Sequence, residues 1–193
     1  MRKTAEERKK QIVDESLNII YEKGFMQFTI RNIAQRVGIS EAGIYRHFDS
    51  KNDIIFSILD RMNEFGEEIS EQIKSIEDPI KKINRFFLLQ LKYFEDNQEL
   101  AMILLSEEIF NNHDDLRKKF NSILNKRFEN LIDLLTKAAQ KNRIDKSEIE
   151  DIAFILQGTM RGLVFRWNLN EYDFDLKSRG EELLDTIFAN FTK

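Results

Sequence analysis

The 193-residue sequence predicts an all-α fold of about nine helices, and three observations carry that prediction. Apolar residues recur at intervals of three and four along most of the chain, the spacing that lines one face of a helix. One proline and seven glycines are too few for the tight turns of an all-β chain. Hydrophobic residues make up 41% of the chain, enough to build a core, and 33% charged residues are available to cover it.

The helices follow in order. The first is predicted over Ala5–Lys23, buried through Ile12, Leu17, Ile19 and Ile20, with Gly24 as its stop. Phe25-Met26-Gln27-Phe28 leads into a short helix capped by Thr29, with Ile30, Ile33, Ala34 and Val37 inward, which Gly38 ends. Ser40 caps a third, Glu41–His47, placing Ile44 inside and Phe48 at its end. Ser50 to Asp53 has capping-box spacing and opens a long helix to about Ile76, with Ile54, Ile55, Ile58, Leu59 and Met62 inward. Asp78-Pro79 marks the next start, since proline is tolerated in a first turn. Helices over Pro79–Phe94, Gln98–Phe110 and Leu116–Lys141 follow, with turns at Asn97 and around Asn111-Asn112-His113. Ser147 to Glu150 reads as a second capping box opening a helix to Leu169, and the last helix spans Leu176–Phe191.

Composition narrows the class further. No cysteine is present, so disulfides and thiolate metal sites are excluded, which fits a reducing compartment. The charged N-terminus has no apolar run behind it, and no stretch has the length of a membrane span, so a soluble cytoplasmic protein is expected. The net charge of −4 conceals an asymmetry. Residues 1–51 hold ten Lys/Arg against seven Asp/Glu, whereas the rest holds twenty against twenty-seven. A basic head on an acidic body fits a protein that touches phosphate at one end.

Residues 29–48 place two short helices around a tight turn at Gly38-Ile39-Ser40, the layout of a helix-turn-helix. The second helix presents Glu41, Ala42 and Gly43 on its leading edge, small or polar groups that allow close approach to base edges. Tyr45, Arg46 and His47 follow, each able to hydrogen-bond to DNA. Lys51 opens the next helix, where its charge and free backbone N–H groups can meet one phosphate. An ordinary helical hairpin with a solvated face explains the shape alone equally well.

The residue detail goes beyond shape. Phe28-Thr29-Ile30-Arg31-Asn32-Ile33-Ala34-Gln35-Arg36-Val37-Gly38-Ile39-Ser40-Glu41-Ala42-Gly43-Ile44-Tyr45-Arg46-His47-Phe48, then Ser50-Lys51, resembles the TetR/AcrR repressor family. Gly24-Phe25 before it and Asp53-Ile54-Ile55 after it fit as well, and the likeness covers about Ile12 to Leu59. The resemblance implies a DNA-binding domain over residues 1–50 and a ligand-binding and dimerisation domain over 51–193. It puts Thr29, Tyr45, His47 and Lys51 at phosphate-contacting places, and Arg31, Glu41, Ala42, Gly43 and Arg46 at places that often face bases. Arg can donate twice to guanine, Glu can accept from cytosine, and Ala can rest on a thymine methyl. Ser40 belongs to the same set as the cap of the recognition helix. Tyr45 also fits the part of a half-buried brace.

One helix-turn-helix makes few contacts, so a homodimer on a palindromic operator is expected. In the Glu148–Leu169 helix, Ile149, Ile152, Leu156, Met160, Leu163 and Trp167 line one face. Ile155, Gly158, Gly162, Phe165 and Leu169 line a second, which needs its own cover. Gly180, Leu184, Ile187 and Phe191 of the last helix share the spacing, and the resemblance implies that the last two helices pair across a two-fold axis. A central helix of a monomer core is the alternative.

Sixteen Phe residues, most beyond the head, fit an apolar effector cavity. Its candidate lining is Phe87, Gln90, Leu91, Phe94, Met102, Leu105, Phe110, Phe128, Phe154, Gln157 and Arg161, with Tyr93, Phe120 and Leu131 nearby. The resemblance implies a small hydrophobic or amphiphilic effector whose binding releases the operator. The same residues also suit plain core filling. No cofactor and no catalytic constellation is expected. The competing reading is a metal-binding helical enzyme using Glu107, Glu108, His113, Asp114 and Asp115, although the Glu-x-x-His repeats of di-metal bundles are missing.

Overall fold

A computed structural model of the chain describes residues 3–105, 110 and 113–192. Among the described residues there are nine α-helices and no strand: α1 (Ala5–Lys23), α2 (Ile30–Val37), α3 (Glu41–Tyr45), α4 (Lys51–Gln72), α5 (Pro79–Asp96), α6 (Gln98–Leu105), α7 (Asp114–Gln140), α8 (Ile149–Leu169) and α9 (Leu176–Phe191). The chain forms two compact units, Met1–Asn63 with Gln98–Asn121, and Glu64–Asn97 with Ser122–Lys193.

The first unit is built from capped helices. Thr4 caps α1 with its side chain on the Glu7 amide, and Glu7 returns a bond to the Thr4 amide, so two free donors are satisfied reciprocally. Ile12, Leu17, Ile19 and Ile20 bury the inner face of α1. A short 3-10 turn, Phe25–Gln27, intervenes before α2. Ile33, Ala34 and Val37 are buried, but Ile30 is only half-buried at the helix start. Ile54, Ile55, Ile58, Leu59 and Met62 bury the inner side of α4, and the Ser50 hydroxyl accepts from the Asp53 amide. Ion pairs fasten these helices, Arg61 to Asp14 at 2.7 Å and Lys119 to Asp60 at 2.7 Å.

The second unit packs α5, α8 and α9 with the adjoining parts of α4 and α7. Asp78 caps α5, accepting from the Lys81 amide at 2.8 Å, with Pro79 in the first turn. Trp167 of α8 is buried and donates from its indole N–H to the Phe174 carbonyl at 2.9 Å. That bond holds the connection into α9, which Asp175 caps.

Several boundaries differ from expectation. Helix α4 stops at Gln72, where the following turns close with bonds spanning three residues rather than four, Lys74 to Glu71 and Ile76 to Ile73. The capping box expected at Ser147 does not form. Asp145 instead accepts from both the Ser147 amide and hydroxyl, capping a 3-10 turn over Lys146–Glu148, and α8 begins at Ile149 without a side-chain cap. The expected extension of α6 to Phe110 lies partly outside the described residues.

Candidate nucleic-acid interface

The turn between α2 and α3 is set by Gly38, which lies in the left-handed region at φ 75°. A side chain there would press its Cβ on the following carbonyl, so glycine relieves strain. Its N–H bonds back to Ala34 and Gln35, and Ile39 bonds to Ala34, closing the helix end. Ser40 then caps α3, accepting from the Gly43 amide at 3.1 Å. Helix α3 is fixed by one fully buried residue, Ile44, and by buried Phe48 beyond its end. Gly43 sits against Ile39, where an added Cβ would be 3.3 Å from the Ile39 side chain. The helix is two residues shorter than expected because His47 bonds to Ile44, which tightens the last turn.

Everything expected to meet DNA lies on the outside of this frame. Thr29, Arg31, Ser40, Glu41, Ala42, Tyr45 and Arg46 are exposed, while Gly43, His47 and Lys51 are half-buried. Tyr45 is 50% exposed, so its hydroxyl is available to an outside acceptor. Thr29 accepts from the Asn32 amide at 3.2 Å and keeps its own O–H proton to donate.

Charge on the head is divided between fastening and display. Arg36 is bound by Glu15 at 2.7 Å and twice by Glu22, at 2.5 and 2.6 Å, tying α2 to α1. That bonding raises the Arg36 pKa and holds the Glu22 carboxyl below its usual range. Lys51 has no carboxylate partner among the described residues and lies over the rings of Phe25 and Phe28. Lys9 lies over the Phe48 ring at 5.7 Å. Sequence periodicity does not disclose these ring contacts, because Phe25 and Lys51 are far apart in sequence.

The expected effector-lining residues fall in both compact units. Phe87, Leu91 and Phe94 of α5 are buried in the second unit. Gln90 is buried too, but its amide donates to the Phe86 carbonyl of its own helix at 3.4 Å. Phe128 and Phe154 have ring centroids 5.1 Å apart. Phe154, Gln157 and Arg161 nevertheless lie on the exposed side of α8, with Phe154 62% exposed, so none of the three is enclosed within the chain. In the first unit, Phe110 stacks on Phe120 at 4.4 Å, while Met102 and Leu105 are half-buried. Arg127 of α7, not anticipated from sequence, is a half-buried cation whose pKa is lowered by desolvation. In the same unit, Tyr93 stacks on Phe65 at 3.5 Å.

The second face of α8 is exposed, through Ile155, Gly158, Gly162, Phe165 and Leu169. An added Cβ at Gly158 or Gly162 meets nothing within 4 Å. Beside this face an open groove of about 670 Å³ runs between α8 and α9, bordered by Thr159, Gly162, Arg166, Ser178 and Arg179. On α9 the expectation needs correction. Gly180 and Leu184 are buried inside the protomer, whereas Leu183, Ile187 and Phe191 are half-buried along a neighbouring stripe. For the metal reading, Glu107 and Glu108 lie outside the described residues, and no group of three or more His, Cys, Asp or Glu able to hold a metal occurs among the described ones. His113 instead approaches Asn52, with Nδ1 3.3 Å from Nδ2.

Comparison with known proteins agrees with this layout. Residues 12–58 match the pattern of bacterial regulatory proteins of the tetR family, and residues 58–190 match the YsiA-like C-terminal region. A fatty acid metabolism regulator protein of Bacillus subtilis is 27% identical over 182 residues, covering 93% of each chain. The transcriptional regulator TtgR of Pseudomonas putida is 23% identical over 94% of this chain and 90% of its own. Among solved structures, the fatty acid degradation regulator FadR of Bacillus halodurans superposes with a TM-score of 0.85 at 22% identity, covering 97% of both. FadR of Bacillus subtilis in complex with stearoyl-CoA gives 0.82 at 25% identity, over 93% of this chain and 97% of that one.

Proposed function

Because the chain belongs to the TetR family of bacterial regulatory proteins, we propose that it is a homodimeric repressor released from a palindromic operator by an acyl-coenzyme A. It is a ligand-responsive DNA-binding regulator.

The observation that carries the reading is the construction of α3. Within the helix only Ile44 is buried, and Glu41, Ala42, Tyr45 and Arg46 all face outward. A five-residue helix offers few base contacts, so a second copy is needed for useful specificity. The exposed α8 face supplies a surface for that copy. Residues 1–50, with Lys51 at the boundary, then bind DNA, and the remainder of 51–193 carries effector binding and pairing.

The effector class follows from the relatives that regulate fatty acid metabolism, one of them solved with stearoyl-CoA. An acyl-CoA joins a long apolar tail to a polyanionic head. Phe87, Leu91 and Phe94 offer an apolar environment for the tail, and Arg127 a desolvated cation for a polar group.

Fluorescence anisotropy on a labelled duplex, recovered from a random pool by binding selection, tests the proposal. Stearoyl-CoA and palmitoyl-CoA should release the duplex and raise the melting temperature, while free coenzyme A should do neither. Binding to a selected duplex without any response to acyl-CoA would overturn the effector alone. No preference for any duplex over random competitor would overturn the DNA reading.

A further inference from the structure

The geometry points to Phe25 as a positioning residue that holds the Lys51 ammonium ready for a backbone phosphate. The inference rests on the DNA-binding reading above and adds to it a residue outside the helix-turn-helix proper. The Lys51 Nζ lies 5.2 Å from the Phe25 ring centroid and 5.4 Å from that of Phe28. The two rings are 5.6 Å apart and tilted by 33°, so together they present two faces to one cation. Both distances fall within the range at which an aromatic quadrupole attracts a positive charge.

The rings serve different purposes. Phe28 is fully buried and belongs to the core of the head. Phe25 is half-buried in the 3-10 turn between α1 and α2, with the lysine over its ring. Lys51 is the first residue of α4, so its ammonium lies at the amide end of that helix. Thr29, another candidate phosphate donor, directly follows Phe28.

Lysine has one of the largest rotamer entropies of any side chain, and fixing it on DNA costs affinity. Resting the ammonium on two rings removes part of that freedom before DNA arrives. An aromatic face also attracts the cation without neutralising it, unlike the carboxylates that hold Arg36. The three N–H donors cannot all point at the rings, so some remain for phosphate oxygens.

The test is a double-mutant cycle on the full-length protein, using the same selected duplex and anisotropy readout. Phe25→Leu should weaken binding about two- to five-fold, the factor to which exposed cation–π attractions correspond. Phe25→Tyr, which keeps the ring face, should retain the parent affinity. In a Lys51→Ala background, Phe25→Leu should have no further effect. An equal loss in both backgrounds, an equal loss with Leu and Tyr, or no loss with Leu would each overturn the proposal. Failure of the parent protein to prefer any duplex would instead strike the DNA reading on which it rests.

Discussion

Gly180 of α9 faces Leu91 of α5 so closely that a Cβ added to the glycine would lie 2.0 Å from the Leu91 Cδ1 atom. The Phe87 ring is also near, at 3.6 Å from the same point, and Leu91 is fully buried. The small residue therefore lets α9 seat against α5 within one protomer. Gly180→Ala should cost about 1–3 kcal/mol, the usual range for overpacking a core. Chemical denaturation checks this, and if the two side chains collide, the Gly180→Ala/Leu91→Ala double variant should lose less than the sum of the two single losses. An unchanged midpoint in Gly180→Ala would mean that Leu91 moves aside freely.

Gly180 also marks the limit of what the sequence discloses. Its spacing with Leu184 describes a buried apolar side, but Ile187 and Phe191 fall on a neighbouring stripe, and periodicity says nothing of which neighbour covers either. The same rule succeeds on α8, where Ile152, Leu156 and Trp167 are buried and Ile155 and Phe165 are exposed. The head was more legible because capping has local signatures: Thr29, Gly38 and Ser40 each perform the expected part. Asp145 was missed as a cap because Ser147 and Glu150 have box spacing, and their competition is settled only by backbone geometry. Contacts such as Arg36 with Glu15 and Glu22, or Lys51 with Phe25, join residues distant in sequence and leave no periodic trace.

The α8 face gives the second prediction. An added Cβ at Gly162 meets no atom within 4 Å, so Gly162→Glu should leave the single chain folded. Replacing a helical glycine even adds up to about 1 kcal/mol of helix propensity. A carboxylate placed among Phe165, Ile155 and Leu169 of two apposed faces would lose water, a cost that the neighbouring Arg166 offsets only in part. Sedimentation velocity should therefore show monomer at concentrations where the parent protein is dimeric, with unchanged circular dichroism. A persistent dimer would move the interface away from this face.

Asp78 connects helix capping with pH. Its carboxylate accepts from the Lys81 amide and pairs with Arg143 at 2.8 Å, and both contacts hold its pKa below the ordinary carboxylate value, the backbone bond contributing most. The unfolded chain binds this proton at higher pH than the folded one does. Its stabilisation is thus full above the ordinary carboxylate range and is lost as pH falls through the lower folded-state value. Asp78→Ala should cost about 1 kcal/mol at neutral pH, mostly through the lost cap. Asp78→Asn keeps an acceptor for the amide, so it should cost less and flatten the acid limb of stability measured by urea denaturation.

Tyr45 and Lys51 should differ in how salt affects their loss. On the proposed DNA-binding reading, the exposed phenol of Tyr45 would donate one hydrogen bond to phosphate, whereas Lys51 would bring a full charge. Tyr45→Phe removes only the hydroxyl, and a bond to a charged acceptor is worth about 1.5 kcal/mol or more, roughly tenfold in affinity. Removing a neutral donor releases no fewer counterions, so the plot of log affinity against log salt should shift down in parallel. Lys51→Ala should lower affinity and also flatten that plot, by about 0.9 for one phosphate neutralised. Half of Tyr45 is exposed, so neither the melting temperature nor the helical signal should change with Phe. A fall in melting temperature with unaltered DNA binding would make Tyr45 a brace of the head and remove it from the contact set.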